Sequence, residues 1–322
     1  MAFLFMDSFE TITTPVDDLP LRGWEMFLTP LLETTVVKDG TQCIKLDANE
    51  QARWFVATGT GHIGKGYLSV WFHFNYTPAG LRTIIDFKSN GTYTLRLKLN
   101  TDKTLFWENA VGTRIGSDSA TALNENQWYH LEIQWEFADS VAADDCVCRV
   151  DGVDFCNVDA AEDTLFAAGY DHIDGFRLLS SPSISDWNYF DSLIHWDAEA
   201  GDDWNDYRGI MRIETIAPDD MGDESGLTGS DGNQIDNYLQ VDEVSDLHDA
   251  DTTYNEGGLG AHDEYNFPIM TATDIGTIVG VQVAMVSEKT GAVALDFTPF
   301  YVDGGIDRDG TEHVLTEDVY TY

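Results

Sequence analysis

Runs of alternating apolar and polar residues, rich in β-branched and aromatic side chains, recur through the first 200 residues and are separated by tight-turn pairs. Tyr67–Phe74, Arg82–Phe87, Tyr93–Leu99 and Trp128–Phe137 are such runs. Successive strand side chains point to opposite faces, so this period of two predicts strands with one buried face. In the third run Tyr93, Leu95, Leu97 and Leu99 fall on the buried side, and Thr94, Arg96 and Lys98 on the wet one. Asn90-Gly91 and Asp151-Gly152 supply the positive-φ pairs that two-residue hairpin loops need, and Val111-Gly112 and Gly304-Gly305 are further turn signals. Helical periodicity is confined to a short helix or turn over 160–168. The pattern predicts an all-β protein built on an antiparallel sandwich, with Trp54, Trp71, Trp128, Trp135, Phe87, Leu97, Leu131 and Ile133 inside it.

The 322 residues divide by composition. Residues 1–200 hold 30 Asp and Glu against 13 Lys and Arg, whereas 201–322 hold 27 against 4. The expected organisation is a sandwich over 1–215, an acidic loop-rich connector over 216–267 and a smaller β-rich unit over 268–322. Apolar runs at 276–286 and 292–302 would leave bare sheet faces in so small a unit, which predicts cover by other copies of the chain.

A net charge of −40 disfavours nucleic acid and anionic lipid as partners, since both would have to meet like charge. The charge is carried mostly by Asp, 39 against 18 Glu, with only 7 Lys. Short anionic side chains hold a dense hydration layer, so the bias predicts adaptation to a marine or hypersaline medium, the plainer alternative being an ordinary acidic surface. The N-terminal apolar run, Ala2–Met6, has no preceding basic residue and is too short for a secretory signal or a membrane span.

Catalytic signatures are missing. No Glu opens the Glu-x-Asp-x-x-Glu strand pattern that sets two carboxylates on one face for glycoside hydrolysis. No nucleophile elbow, His-Glu-x-x-His, phosphate loop or dinucleotide motif occurs. The expectation is a protein that is not an enzyme. Cys148 and Cys156 flank the Asp151-Gly152 turn and become cross-strand neighbours if the hairpin has a one-residue bulge. They are therefore the disulfide candidates, although buried free thiols also fit. His73 and His130 fall within strands and read as structural. His248-Asp249-Ala-Asp251 and His262-Asp263-Glu264 read as solvated acidic loops. Asp307 and Asp309, with Gly310, make a fragment of a calcium loop without its closing Glu; no cofactor is expected beyond a structural calcium ion.

From Gly40 to Asp197 the order of features resembles the concanavalin and laminin-G superfamily. Gly40-Thr-Gln-Cys-Ile-Lys-Leu46 is similar to its early strand, Tyr67–Phe74 to the long central strand, and Asn126–Ile133 to the strand opened by Trp-Tyr or Trp-His. Cys148–Val153 and Tyr189–Ile194 are similar to the closing elements. That resemblance implies a jelly-roll sandwich. With the start at Phe5-Met-Asp-Ser-Phe9, the stretch Tyr207–Pro218 and Val241-Asp-Glu and Asp251-Thr-Thr-Tyr254 in the connector, the chain also resembles particle proteins of tailed viruses. This implies a virion structural protein, a capsid or tail decoration, neck or fibre component, made in the host cytoplasm with other virion proteins as partners. The alternatives are a lectin-like adhesin for host cell-surface glycan and, third, a polysaccharide hydrolase.

Overall fold

The computed structural model describes residues 3–10, 12, 15, 19, 24–55, 63–136, 145–158, 172–180, 183, 185–198, 206–211, 213, 215–241, 253–268, 286–287, 296–303, 306–309, 313–314 and 320–321. The chain divides into two compact units, Met1–Thr215 and Ile216–Tyr322.

The first unit is a β-sandwich with two antiparallel sheets. Its strands are β1 (Phe3–Asp7), β2 (Trp24–Phe27), β3 (Leu31–Glu33), β4 (Cys43–Leu46), β5 (Gln51–Phe55), β6 (Lys65–Phe74), β7 (Arg82–Ser89), β8 (Thr92–Leu99), β9 (Leu105–Asn109), β10 (Arg114–Ile115), β11 (Tyr129–Glu136), β12 (Asp145–Val150), β13 (Val153–Val158), β14 (Gly175–Leu179) and β15 (Asn188–Asp197). An eight-stranded sheet runs β13-β12-β11-β6-β15-β4-β3, with β1 also paired to β15, and a seven-stranded sheet runs β10-β9-β8-β7-β14-β5-β2. The turn chemistry acts where the sequence places it: Asn90 and Gly91 (φ 45° and 78°) close β7–β8, and Asp151 and Gly152 (φ 51° and 80°) close β12–β13.

Between the sheets lies one core. Leu68, Val70, Phe72 and Phe74 of β6 and Leu131, Ile133 and Trp135 of β11 meet Ile85, Phe87, Leu95, Leu97, Trp107 and Phe176 of the other sheet. Large aromatics such as Trp107, Trp135, Phe87 and Phe176 are fully buried in it, and burial of apolar area is the dominant favourable term for such a fold. His195 of β15 also sits in it, in ring contact with Trp54, Trp135 and Phe176 at 5.1–5.5 Å. Neither of its ring nitrogens has a hydrogen-bond partner, and burial pushes its pKa down to about 3.

Three side chains expected inside the core lie elsewhere. Trp71 belongs to the phase of β6 that points away from the other sheet, and Trp128 precedes β11 in the corresponding phase. Both indoles therefore lie on the outer face of the eight-stranded sheet. Tyr93 is turned outward by a bulge, because Phe87 pairs with Leu95 but Lys88 pairs with Tyr93, leaving Thr94 as the extra residue. A bulge does the same for the cysteines: Cys148 and Cys156 are direct cross-strand partners beside a register shift, as buried free thiols.

In the second unit, the stretch read as a connector carries paired strands of its own. Asp220–Ser225 pairs with Asp263–Asn266, and Thr228–Gly229 with Asn255–Glu256, around a 3-10 turn at Asn237–Gln240. Farther on, Phe300–Asp303 and Ile306–Asp309 form a hairpin. The expected helix or turn over 160–168 and most of the 276–286 run lie outside the described residues.

Candidate functional site

Strand alternation sends every second residue of β6, β11 and β15 to the outer face of the eight-stranded sheet. At one end of that face the residues are aromatic. His73 is the register partner of Tyr189, and Tyr189 of Lys45. The His73 ring contacts Trp128 (5.2 Å between centroids) and Tyr189 (4.9 Å, edge-on), and Tyr189 meets Trp187 at 90°. Above this floor opens a cleft of about 490 Å³ lined by Thr35, Val36, Val37, His73, Asn75, Asn126, Trp128, Trp187 and Tyr189.

The wall formed by residues 35–37 is pinned by acids at both ends. The Glu33 carboxylate accepts the Thr35 N–H (2.8 Å) and the Thr35 hydroxyl. Burial opposes its charge, yet these bonds and Lys45 hold its pKa below the usual range. On the far side Asp191 Oδ2 accepts the N–H groups of Lys38 and Asp39, both at 3.1 Å. Glu10 accepts those of Thr41 and Gln42, and Gly40 (φ 65°) is required there because a β-carbon would lie 2.2 Å from Glu10 Oε1. Ser192 sits at a bulge in β15 with φ 45°, which keeps Asp191 on the outer face while Leu193 returns to the core. Opposite, Asn75 Oδ1 accepts the Trp187 N–H at 2.9 Å, and Lys45 Nζ lies 3.7 Å from the Trp187 ring centroid, a cation–π contact.

The cleft floor is uncharged. Burial lowers the His73 pKa to about 4, so the ring is neutral at physiological pH, and its Nδ1 is buried without a partner. Burial also raises the Tyr189 hydroxyl. None of the nine lining residues is acidic or permanently cationic.

Farther along the same face the polar groups are covered. Ser69 Oγ lies 2.8 Å from His130 Nε2, the spacing of a nucleophile and its base. Both are buried, His130 Nδ1 has no group to orient it, and the Trp71 ring packs on the imidazole at 5.0 Å. The Trp71 indole N–H donates to Met211 O (3.2 Å), and Glu132 accepts the Gly209 N–H (2.8 Å), so the stretch around residues 209–211 lies over this part of the sheet. The Ser69–His130 pair is thus a buried structural hydrogen bond, as strand histidines usually are. Asp191 is raised to about 7, chiefly by burial, and Glu132 is raised for the same reason.

Of the residues singled out by sequence, Asp307 and Asp309 lie in a hairpin strand opposite Val302 and Phe300. Cys148 and Cys156 are buried free thiols that form part of the core. His248, Asp249 and Asp251 lie outside the described residues, and His262 pairs with Glu224 at 2.6 Å on the surface. Among the described residues no group of three or more His, Cys, Asp or Glu is arranged to hold a metal. Placing Trp128 in the core hides the cleft; the signal in the sequence is phase, since Trp128 is out of step with Leu131, Ile133 and Trp135.

No protein-family model and no curated protein matches the chain. Among solved structures it is similar to a cellulose-induced protein, Cip1, at 14% identity and TM-score 0.45, over 60% of this chain and 96% of that one. It is also similar to a Trypanosoma rangeli sialidase in complex with 2,3-difluorosialic acid (11%, TM-score 0.41, 60% of this chain and 30% of the sialidase). A third is a carbohydrate esterase from the Shiga toxin-encoding bacteriophage phi24B (13%, TM-score 0.41, 61% and 99%). Likeness at this level concerns general architecture only.

Proposed function

We propose that the chain is a carbohydrate-binding protein and that the aromatic cleft on the outer face of the eight-stranded sheet is its glycan site. The observation that carries this reading is the lining: two indoles, a phenol and a neutral imidazole beside the Asn75 and Asn126 amides and the Thr35 hydroxyl. Sugar rings offer apolar C–H faces and a rim of hydroxyls, which such a set meets with aromatic planes and neutral hydrogen-bonding groups. Binding is favoured over hydrolysis because the lining holds no carboxylate, whereas glycoside cleavage uses two flanking the scissile bond. Of the acids on the same face, Asp191, Glu132 and Glu33 are occupied by backbone N–H groups and Glu136 pairs with Lys65. In a viral particle, the setting implied by the sequence resemblance, such a site would serve attachment to host glycans.

A glycan array followed by calorimetric titration tests the reading. We expect binding that a free sugar competes away, and a loss of about tenfold or more in affinity for Trp128→Ala and for Trp187→Ala. Absence of any glycan ligand, or binding indifferent to both substitutions, refutes it.

A further inference from the structure

The second unit holds three buried side-chain oxygens that its own hydrogen bonds leave without a partner. Asn237 is fully buried, and its Nδ2 donates to Leu227 O (3.0 Å) and Asp263 Oδ2 (2.5 Å). Those two acceptors fix the amide orientation, so Oδ1 must point the other way, where it meets no donor. Asn255 repeats the pattern: its Nδ2 donates to Asn237 O and to the Tyr265 hydroxyl, both at 2.8 Å, and its Oδ1 is buried without a partner. Asp236 Oδ1 is the third such atom. Among the described residues of this unit, every buried side-chain polar atom lacking a partner is an oxygen.

Asn237 Oδ1 is aimed at Gly229. A β-carbon built on Gly229 would lie 3.2 Å from Asn237 Oδ1, 2.8 Å from Asp231 Oδ1 and 3.2 Å from Gln240 Cγ, so the two oxygens approach the same side of one glycine, and Asp231 Oδ1 also accepts the Asn233 N–H at 3.1 Å. Buried polar atoms in native proteins nearly always have partners. A water molecule can donate to only two acceptors, whereas a divalent cation serves several oxygens at once. Amide and carboxylate oxygens are hard donors, and their irregular disposition suits calcium, which accepts variable geometry, better than magnesium, which demands an octahedron.

We propose that this cluster is a calcium site, with Asp231 and Asn237 as ligands beside Gly229 and with Asp236 and Asn255 supplying further oxygens. Bound there, the ion joins the 229–237 loop to the strand at Asn255–Glu256. This is a different place from the Asp307–Asp309 fragment, and it is independent of the glycan cleft.

The test is calorimetric titration of the chelator-stripped full chain with calcium and, separately, magnesium in concentrated KCl, with melting followed in parallel. We expect one saturable calcium per chain, in the roughly 10⁻⁴–10⁻³ M range of weakly charged sites, and a higher melting temperature. Two variants separate the site from the ion atmosphere of so acidic a chain. Asp231→Asn keeps the shape and the acceptor oxygen of an exposed side chain but removes its charge. Gly229→Ala fills the space between the two oxygens, at a backbone position that needs no positive φ. Each should weaken calcium binding by about tenfold or more, and Asp231→Asn should leave the calcium-free melting temperature near that of the parent. No saturable calcium binding, or binding of equal strength in both variants, overturns the proposal.

Discussion

The two outer faces of the sandwich are built from cross-strand rows of opposite kinds. On the seven-stranded sheet, Glu25, Arg53, Arg177, Asp86, Arg96, Glu108 and Arg114 are successive register partners, one from each strand, in a charge ladder across the whole sheet. With Lys88 and Lys98, six of the chain's 17 Lys and Arg stand on this face. Several lie flat on aromatic rings, as Arg177 does on Tyr93 and Arg114 on Phe106. On the eight-stranded sheet the row at the cleft is Trp128, His73, Tyr189 and Lys45, neutral over its first three members. A ladder of paired charges can cover a sheet in water without presenting anything to a ligand. A row of uncharged rings beside an open cleft keeps its apolar planes available, and that contrast is what favours one face over the other for the proposed site.

The largest expected effect comes from breaking the ladder. Asp86 is almost fully buried and accepts two bonds from the Arg177 guanidinium, while Arg96 approaches at 3.7 Å. Burial pushes its carboxyl up against the pull of those cations. Asp86→Ala leaves the partly buried Arg177 guanidinium without its counter-charge, while Arg96 keeps Glu108, and should cost about 3–5 kcal/mol in chemical denaturation. The matching change in the aromatic row, His73→Phe, keeps the ring contacts and removes a buried nitrogen that has no partner. It should stay within about 1 kcal/mol of the parent. Equal losses for the two variants would erase the distinction between the rows.

Much of this contrast could not be read from the sequence. Alternation gave the strands and the wet side of Arg96 and Lys98, because those depend only on neighbours two residues away. The ladder joins Arg177 to Asp86 across 91 positions, and nothing local encodes that pairing. The hairpin of Cys148 and Cys156 was legible, bulge included, because turn and spacing are local. The bulge at Thr94 was not, so Tyr93 was assigned inward. Phase, not residue type, decides the face of Trp128 and Trp71: a tryptophan next to core positions need not be one of them, and Trp71 is buried on the outer face instead. The Asp231–Asn237 cluster was passed over as a Gly-, Asp- and Asn-rich loop, since which of its oxygens lack donors is a property of the folded unit alone.

A middle-sized effect concerns Asp191, which holds the cleft wall through Lys38 and Asp39 and faces the Glu10 and Asp39 carboxylates as well. Its folded pKa of about 7 lies above the usual unfolded value of about 3.9. The native state therefore binds the extra proton between those limits, and stability from this group is complete below about pH 4 and lost as pH rises through about 7. His73, His130 and His195 act oppositely. Their folded pKa values of about 4, 4 and 3 lie below the ordinary value, so their contribution falls as pH drops below about 6.5. Asp191→Asn isolates the first term, because the histidines cancel in the difference. The variant should match the parent near pH 4 and exceed it by roughly 3–4 kcal/mol at pH 8, the free energy of moving the pKa from about 3.9 to about 7. A gap that is constant with pH would mean that Asp191 titrates normally in the fold.

The smallest expected change in stability belongs to Trp128, and it is the one that sharpens the comparison most. A core tryptophan such as Trp135 is fully buried among Phe87 and His195, and its truncation to Ala costs about 3–5 kcal/mol through lost transfer energy and an unfilled cavity. Trp128 is only partly buried, borders an open cleft and has His73 as its aromatic neighbour. Its removal leaves a space that water already reaches, so no cavity term arises. Only the contact with one imidazole and the area covering it are lost. Trp128→Ala should therefore lower the unfolding free energy by no more than about 1 kcal/mol. The same substitution is expected to weaken glycan binding strongly, so stability and affinity should separate at this residue, whereas at Trp135 they should fall together. A loss for Trp128→Ala as large as that for Trp135→Ala would return Trp128 to the packing of the sandwich and take away the plane on which the proposed site depends.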